Sequence, residues 1–353
     1  MTEKGRKIAV LATGANGSCI AADLTRTGLD VSLIDQWPAH VEAMRANGLT
    51  IRMEDEEFTV PVRAYHLCDV CTLHEKFDLV LLTSKAYDAR WLAEFIRPYL
   101  ADDGLLIGVQ NGMTAEAIAE IVGPERTLGC VVELSSELFT PGEVKRNTAP
   151  DHTWFGLGAF HPAQQDRIAD AVAVLRHAGK VSASDDILSA KWMKLIINTM
   201  TMGLKSILGG TNEQVYSLEG TREIALRAGE EALAAGQTLG YRIVPIIGLK
   251  PEDVGNTNRL LEVLLDKIIR DVGPTARNTV LQDHLKGRYS EVDLLNGFVA
   301  DENRRRGRPS PVNDMIVEIT RRIHAGELKP DPANLAIINA MLGRGGTPAS
   351  SAA

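Results

Sequence analysis

Short apolar runs alternate with helical periods through the first half of the chain, and the second half is almost wholly helical in pattern. Lys7-Ile8-Ala9-Val10-Leu11 reads as a buried strand and Ser18-Cys19-Ile20-Ala21-Ala22-Asp23-Leu24 as an apolar helix. Further strands are predicted at 28–35, 78–83 and 105–110, with helices at 88–96 and 114–122. Their near-continuous apolar character suits a parallel sheet covered on both faces. Alternation between 50 and 62 predicts short, half-exposed strands. A second β-rich stretch covers 129–134, 143–146 and 152–158, and a helix at 165–177 and a strand at 180–183 close this part. From 185 onward the strand signal does not return: helical periods run over 187–208, 221–239, 251–271, 311–325 and 332–342.

The join between the first strand and first helix carries chemistry. Thr13-Gly14-Ala15-Asn16-Gly17 places glycines where a strand turns into a helix N-terminus, which offers free N–H groups and a positive dipole end to a pyrophosphate. Ala12 holds the position usually given to the first glycine of such a turn. Asp35 ends the second strand, 21 positions after Gly14, the spacing expected of an acid on an adenosine ribose. A carboxylate there accepts from both ribose hydroxyls and repels a 2′-phosphate, so NAD is expected over NADP, with NADP kept open by Arg26 and Arg45. The plain alternative is a βαβ unit whose strand happens to end in Asp. The expected fold is therefore α/β: a Rossmann-type dinucleotide-binding domain over 1–184, an all-helical domain over 185–342 (assigned to substrate and dimerisation by the resemblance given below), and a disordered tail over 343–353.

Composition narrows the partners. The 353 residues include 44% hydrophobic and 24% charged side chains, as in an ordinary globular protein. A net charge of −8 offers no basic field to nucleic acid or anionic lipid. No run is long enough to span a bilayer and the first residues lack a signal-peptide core, so a cytoplasmic protein is expected. The four cysteines are Cys19, Cys68, Cys71 and Cys130. Cys68-Asp69-Val70-Cys71 has metal or redox spacing, yet no second Cys/His pair accompanies it. Buried or half-buried reduced thiols and no metal are expected.

In an open parallel sheet, ligands bind beyond the carboxyl ends of the strands. Lys85 follows one predicted strand, and Gln110-Asn111-Gly112-Met113 follows the next. In the helical half, Trp192-Met193-Lys194-Leu195-Ile196-Ile197-Asn198-Thr199-Met200-Thr201-Met202 is strongly apolar, and Lys194 and Asn198, four apart, share a face. An ammonium and an amide there are costly to bury without partners. With Lys191 and Lys205 nearby, a solvated lysine stripe is the alternative. Further on, Ser290 is placed to cap a second helix with Asp293 three residues on. Glu291 and Asp293 could then be simple dipole charges.

In order and spacing these segments resemble the ketopantoate reductase (2-dehydropantoate 2-reductase) family over residues 7–323. The matching pieces are the glycine loop, Lys85, Gln110-Asn111-Gly112-Met113, Lys194-Leu195-Ile196-Ile197-Asn198 and Gln282-Asp283 through Gly287-Arg288, Ser290-Glu291-Val292-Asp293 and Asn296-Gly297. The resemblance implies a Rossmann domain plus a helical domain with the active site in their cleft. It also implies hydride transfer from a reduced nicotinamide to the 2-oxo group of a small acid, as in pantothenate biosynthesis. By position, Lys194 is the general acid, and Glu291 orients it or binds the substrate hydroxyl. Asn198 and Asn111 position the substrate and nicotinamide ribose. Thr279 falls where the family has a substrate-binding serine, and Gly14, Ala15, Asn16, Gly17, Asp35 and Lys85 face the cofactor.

The chain departs from the family pattern in three places, one of them Asn278-Thr279-Val280 where the family has a Ser-Ser-Met run. Met202 stands where a second substrate-binding asparagine is expected, and Asp35-Gln36-Trp37 where a basic residue favours NADPH. These leave three expectations: the family's own reaction; an NAD-linked dehydrogenase that oxidises another 2-hydroxy acid in catabolism; and a non-catalytic redox sensor. A homodimer is expected in each case.

Overall fold

The computed structural model describes residues 5–255 and 259–343; of the tail expected to be disordered, 344–353 lies outside them. The chain divides into two compact units, Met1–Leu195 with Gly240–Gly273, and Ile196–Leu239 with Pro274–Ala353.

The first unit holds all twelve strands found among the described residues: β1 (Lys7–Leu11), β2 (Asp30–Asp35), β3 (Leu49–Arg52), β4 (Glu57–Val60), β5 (Arg63–His66), β6 (Phe77–Leu82), β7 (Leu100–Gly108), β8 (Thr127–Glu133), β9 (Ser136–Thr140), β10 (Glu143–Arg146), β11 (Trp154–Gly158) and β12 (Lys180–Ala183). Eight form one sheet in the order β12-β11-β8-β7-β6-β1-β2-β5. Neighbours from β5 across to β8 are parallel, and β11 turns antiparallel to β8. A smaller sheet, β4-β3-β10-β9, lies beside them. The run β5-β2-β1-β6-β7-β8 is the doubly wound dinucleotide-binding order. Strand β1 shows why the sheet is apolar throughout. Its Ile8 and Val10 enter one core layer while Ala9 and Leu11 enter the other, since successive side chains leave opposite faces.

Helices α1 (Ala15–Arg26), α2 (Pro38–Asn47), α3 (Ala89–Ile96), α4 (Ala115–Val122) and α5 (Ile168–Leu175) belong to this unit, together with the first part of α6 (Ile187–Thr201). The second unit contains α7 (Gly203–Leu208), α8 (Asn212–Tyr216) and α9 (Thr221–Thr238). Helices α10 (Pro251–Gly255) and α11 (Leu260–Val272) fall within the first unit's 240–273 segment. The chain returns to the second unit for α12 (Thr279–Leu285), α13 (Asn296–Arg305), α14 (Pro311–His324) and α15 (Asn334–Met341). The helical period predicted over 187–208 is broken at Met202. Next to the break, a Cβ on Gly203 would lie 2.3 Å from Ile316 Cγ2, so close packing with α14 needs glycine there.

The glycine turn is strained at its first residue. Ala12 has φ +62°, in the left-handed region where a Cβ is unfavourable. Glycine reaches that conformation without penalty but gains entropy when unfolded. Ala12→Gly should therefore raise stability by up to about 1 kcal/mol in denaturant unfolding, against the usual sign of an Ala→Gly change. A loss of stability would show that the methyl group's packing outweighs the strain.

Candidate active site

The carboxyl ends of β2, β1, β6, β7 and β8 lie side by side in the sheet, and most of the polar candidates of the first unit sit just past them. After β1, the helical ladder of α1 begins with Ser18 N–H donating to Gly14 O at 2.9 Å. The N–H groups of Ala15, Asn16 and Gly17 precede that ladder. No acidic side chain occupies the first turn, Gly14 caps it without a side chain, and a Cβ on Gly14 would meet nothing within 4 Å. Gly17 is different: a Cβ there would lie 2.2 Å from Thr83 Oγ1, so this glycine allows α1 to pack against β6's exit. The Asn16 amide is already committed, donating to Leu134 O at 3.1 Å and accepting from Ser136 Oγ at 2.6 Å. What Asn16 can offer a cofactor is its backbone N–H.

Asp35 is buried at the end of β2. Its Oδ1 accepts from Trp37 N–H at 2.7 Å, and Thr13 Oγ1 approaches Oδ2 at 3.4 Å. An ionised carboxylate is acceptor-only, the chemistry that ribose hydroxyls call for. The open turn, the uncommitted N–H groups and this acid together fit a dinucleotide.

The next two loops are tied together. Gln110 Nε2 donates to Ser84 Oγ at 2.9 Å, and Thr114 Oγ1 donates to Gln110 Oε1 at 3.0 Å. This fixes the half-buried Lys85 and Asn111 on adjacent strand exits. From α6, the buried Lys191 donates to Gln110 O at 3.2 Å and Cys130 O at 3.1 Å. Burial pushes its ammonium down to about 8, slightly opposed by Cys130, whose own thiol burial pushes up to about 12. One turn along, Lys194 forms an ion pair with Glu133, the last residue of β8, and both side chains are more than nine-tenths buried. Glu133 was not among the residues singled out from the sequence. The signal was there, since it is an acid closing an apolar strand, as Asp35 is. The solvated lysine stripe does not form: Lys191, Lys194 and Lys205 are all buried.

In the second unit, Asn198 is fully buried on α6, and its carbonyl accepts from Met202 N–H at 2.9 Å. Asn278 caps α12 by accepting from Leu281 N–H at 2.8 Å, and its amide donates to Met202 O at 3.0 Å. This seats Thr279 Oγ1 4.0 Å from Met202 Sδ, bringing those two candidates together. Glu291 is buried on a separate segment, just before a 3₁₀ turn over Val292–Leu294. Ser290 does not cap a helix. Its hydroxyl is buried with no hydrogen-bond partner among the described residues, and Asp293 pairs instead with Arg321 at 2.9 Å. Cys68 and Cys71, expected to be buried or half-buried, are exposed on a 3₁₀ turn, while Cys19 and Cys130 are buried. Among the described residues no cluster of three or more His, Cys, Asp or Glu could hold a metal ion, and no helix is long and apolar enough to cross a membrane.

Comparison with known proteins fits this arrangement. The family model described as Ketopantoate reductase PanE/ApbA matches residues 8–159, and that described as Ketopantoate reductase PanE/ApbA C terminal matches 186–324. A 2-dehydropantoate 2-reductase of Mesorhizobium japonicum is 28% identical over 340 residues, covering 90% of this chain and 97% of its own. One from Nostoc sp. is 28% identical over 246 residues, covering 67% and 75%. The crystal structure of a PanE/ApbA family ketopantoate reductase from Ralstonia eutropha JMP134 aligns with TM-score 0.75 at 24% identity, over 91% of this chain and 99% of that one. D-mandelate dehydrogenase with NADH and anilino(oxo)acetate aligns with TM-score 0.79 at 20% identity, over the same shares. At these identities the two structures attest the fold.

A buried histidine supports the glycine turn and makes it sensitive to acid. His40 Nε2 lies 3.0 Å from Thr13 O and 3.1 Å from Ser18 Oγ, while Gly142 N–H donates to Nδ1 at 2.9 Å. The accepting Nδ1 leaves the proton on Nε2, which donates to Thr13 O. Burial lowers the His40 pKa to about 4, only partly opposed by the bond to Thr13. Between pH 6.5 and 4 the unfolded chain therefore takes up a proton that the folded one refuses, so this contribution is intact above 6.5 and lost on acidification. The stability gap between the wild type and His40→Asn should narrow by about 2 kcal/mol from pH 7.5 to pH 5. A gap independent of pH would show that His40 is not held neutral.

Proposed function

The chain belongs to the ketopantoate reductase family, and on that premise we propose that it reduces the 2-oxo group of a small acid, 2-dehydropantoate foremost, with NADH. It is a nicotinamide-dependent oxidoreductase acting on a CH–OH group. The observation that carries the proposal is the buried Lys194 ammonium paired with Glu133 at the end of β8, on the same edge of the sheet as the α1 N-terminus and Asp35.

When bound, the reduced nicotinamide supplies a hydride to the substrate's carbonyl carbon. Ala15, Asn16 and Gly17 bind the pyrophosphate through their N–H groups, and Asp35 binds the adenosine ribose. Lys85 and Asn111 hold the nicotinamide half. Negative charge grows on the carbonyl oxygen as the hydride arrives. Lys194 stabilises that charge and then gives up a proton, its N–H bond breaking as the new O–H bond forms. Asn198 and Thr279 orient the acid, and Glu291 binds its hydroxyl. A sensor that only binds the dinucleotide has no need of this proton donor.

One observation favours a second reading. Met202 presents a thioether beside Thr279 where an amide would serve a polar substrate. A site built for a hydrogen-bonding group loses much of its discrimination when that partner is apolar. The second reading is NAD⁺-driven oxidation of a 2-hydroxy acid with a more apolar side chain, the chemistry that the structural neighbour's name, D-mandelate dehydrogenase, describes. In both readings the protein acts in the cytoplasm as a homodimer.

Initial rates of 2-dehydropantoate reduction, run separately with NADH and NADPH, separate the two readings. Saturable turnover with NADH preferred supports the first. Absence of turnover with either, alongside tight NADH binding, sends the search to other 2-hydroxy acids. Lys194→Ala should lower kcat about a hundredfold or more while cofactor affinity changes little. Equal losses in both would remove its role as acid. Asp35→Ala should improve use of NADPH relative to NADH, and an unchanged ratio would count against Asp35 as the selector.

A further inference from the structure

We propose that Glu133 is the positioning residue of the reaction, holding the Lys194 ammonium at the carboxyl edge of the sheet so that the proton donor is in place before substrate arrives. The inference rests on the reading of Lys194 as that donor. Glu133 itself is assigned no part in the chemistry.

A proton donor must be held still to act promptly. Lysine is a point charge on a flexible four-carbon stem, and left alone it samples many positions. A donor that must be caught and oriented in each turnover forfeits the advantage of a prearranged geometry. Glu133 supplies what Lys194 lacks. It is the last residue of β8, paired with Trp154 on β11, and β8 is also bonded along β7. The carboxylate therefore stands on backbone that β11 holds at Glu133 itself, with β7 bonded further back over Thr127–Gly129.

Helix α6 is registered against the same strands by a second, independent attachment. Three residues before Lys194, Lys191 binds the carbonyls of Gln110, just past β7, and Cys130, within β8. The two lysines thus fix one face of α6 to the strand ends that also carry Asn111. An ion pair buried in this way is weak evidence of stabilisation, because the cost of desolvating both charges offsets much of their attraction. Hydrophobic side chains of similar size could have joined helix and sheet. What they could not do is hold an ammonium at a fixed point. The three side chains carry one positive charge in excess, two ammonium groups against one carboxylate, which leaves the cluster suited to an incoming acid.

The test has one arm that needs no substrate. Full-length wild type and Glu133→Gln are treated with acetic anhydride, and labelling of each lysine is followed by peptide mass spectrometry. With the carboxylate gone, Lys194 should label at least tenfold faster, while Lys191, whose carbonyl partners remain, labels as before. Unchanged labelling of Lys194 overturns the proposal. Should Glu133→Gln fail to fold, Glu133→Asp, one methylene shorter, should give an intermediate rate, and a wild-type rate there would also overturn it.

The second arm is 2-dehydropantoate reduction. Glu133→Gln should lower kcat tenfold or more with NADH affinity unchanged, and Glu133→Asp should recover part of the loss. A fall in affinity and kcat together, with no recovery by Asp, would show a merely structural role and overturn the proposal. If Lys194→Ala keeps its rate, the reading of Lys194 has failed. If Lys194→Ala is inactive and Glu133→Gln is not impaired, only the positioning role has failed.

Discussion

Buried positive charge is the constraint around which this chain is organised. Helix α6 and the start of α7 carry three ammonium groups away from water, and each must be answered by an acceptor or neutralised. Lys191 is answered by two carbonyls at strand ends, Lys194 by Glu133, and Lys205 by Asn212. The first two answers come from the sheet, which ties the chemistry-bearing face of α6 to the strand exits. The parallel arrangement makes this possible, because all the exits from β5 to β8 open on one edge. Positive charge from Lys191, Lys194 and the α1 N-terminus then gathers at that edge, where the proposed function places an acid and a dinucleotide.

Much of this was legible in the residues. The apolar runs of β1, β2, β6 and β7 and the glycine turn specify a doubly wound sheet almost by themselves, because period and composition agree there. Asp35 was legible for the same reason, being an acid at a fixed distance from the turn. Glu133 carries the same kind of signal but lacks a motif to call attention to it, and its partner lies 61 positions further on. Long-range pairing of this sort leaves no trace in local pattern.

The differences have physical causes. The period over 187–208 gives no reason to stop at Met202. The break falls where Gly203 must accommodate Ile316 from a helix more than a hundred residues away. Ser290 looks like a cap because a serine precedes acids at the right spacing. In the folded chain Asp293 finds Arg321 instead, and only a single 3₁₀ turn follows. Ala12 shows the reverse case. A residue that pattern would reject is kept in a left-handed conformation, held by Ala12 N–H donating to Ile34 O at 2.7 Å.

In the proposed reaction this edge of the sheet passes a hydride between a nicotinamide and carbon 2 of an acid while Lys194 handles the proton. The measurement that tests it most directly is isotope transfer from [4-²H]NADH to 2-dehydropantoate, with the product read by mass spectrometry and NMR. Deuterium is expected at C2 of the product, from one face of the nicotinamide only, and none in solvent. Bound NADH that stays fully labelled with this acid and with other 2-oxo acids of similar size would contradict it.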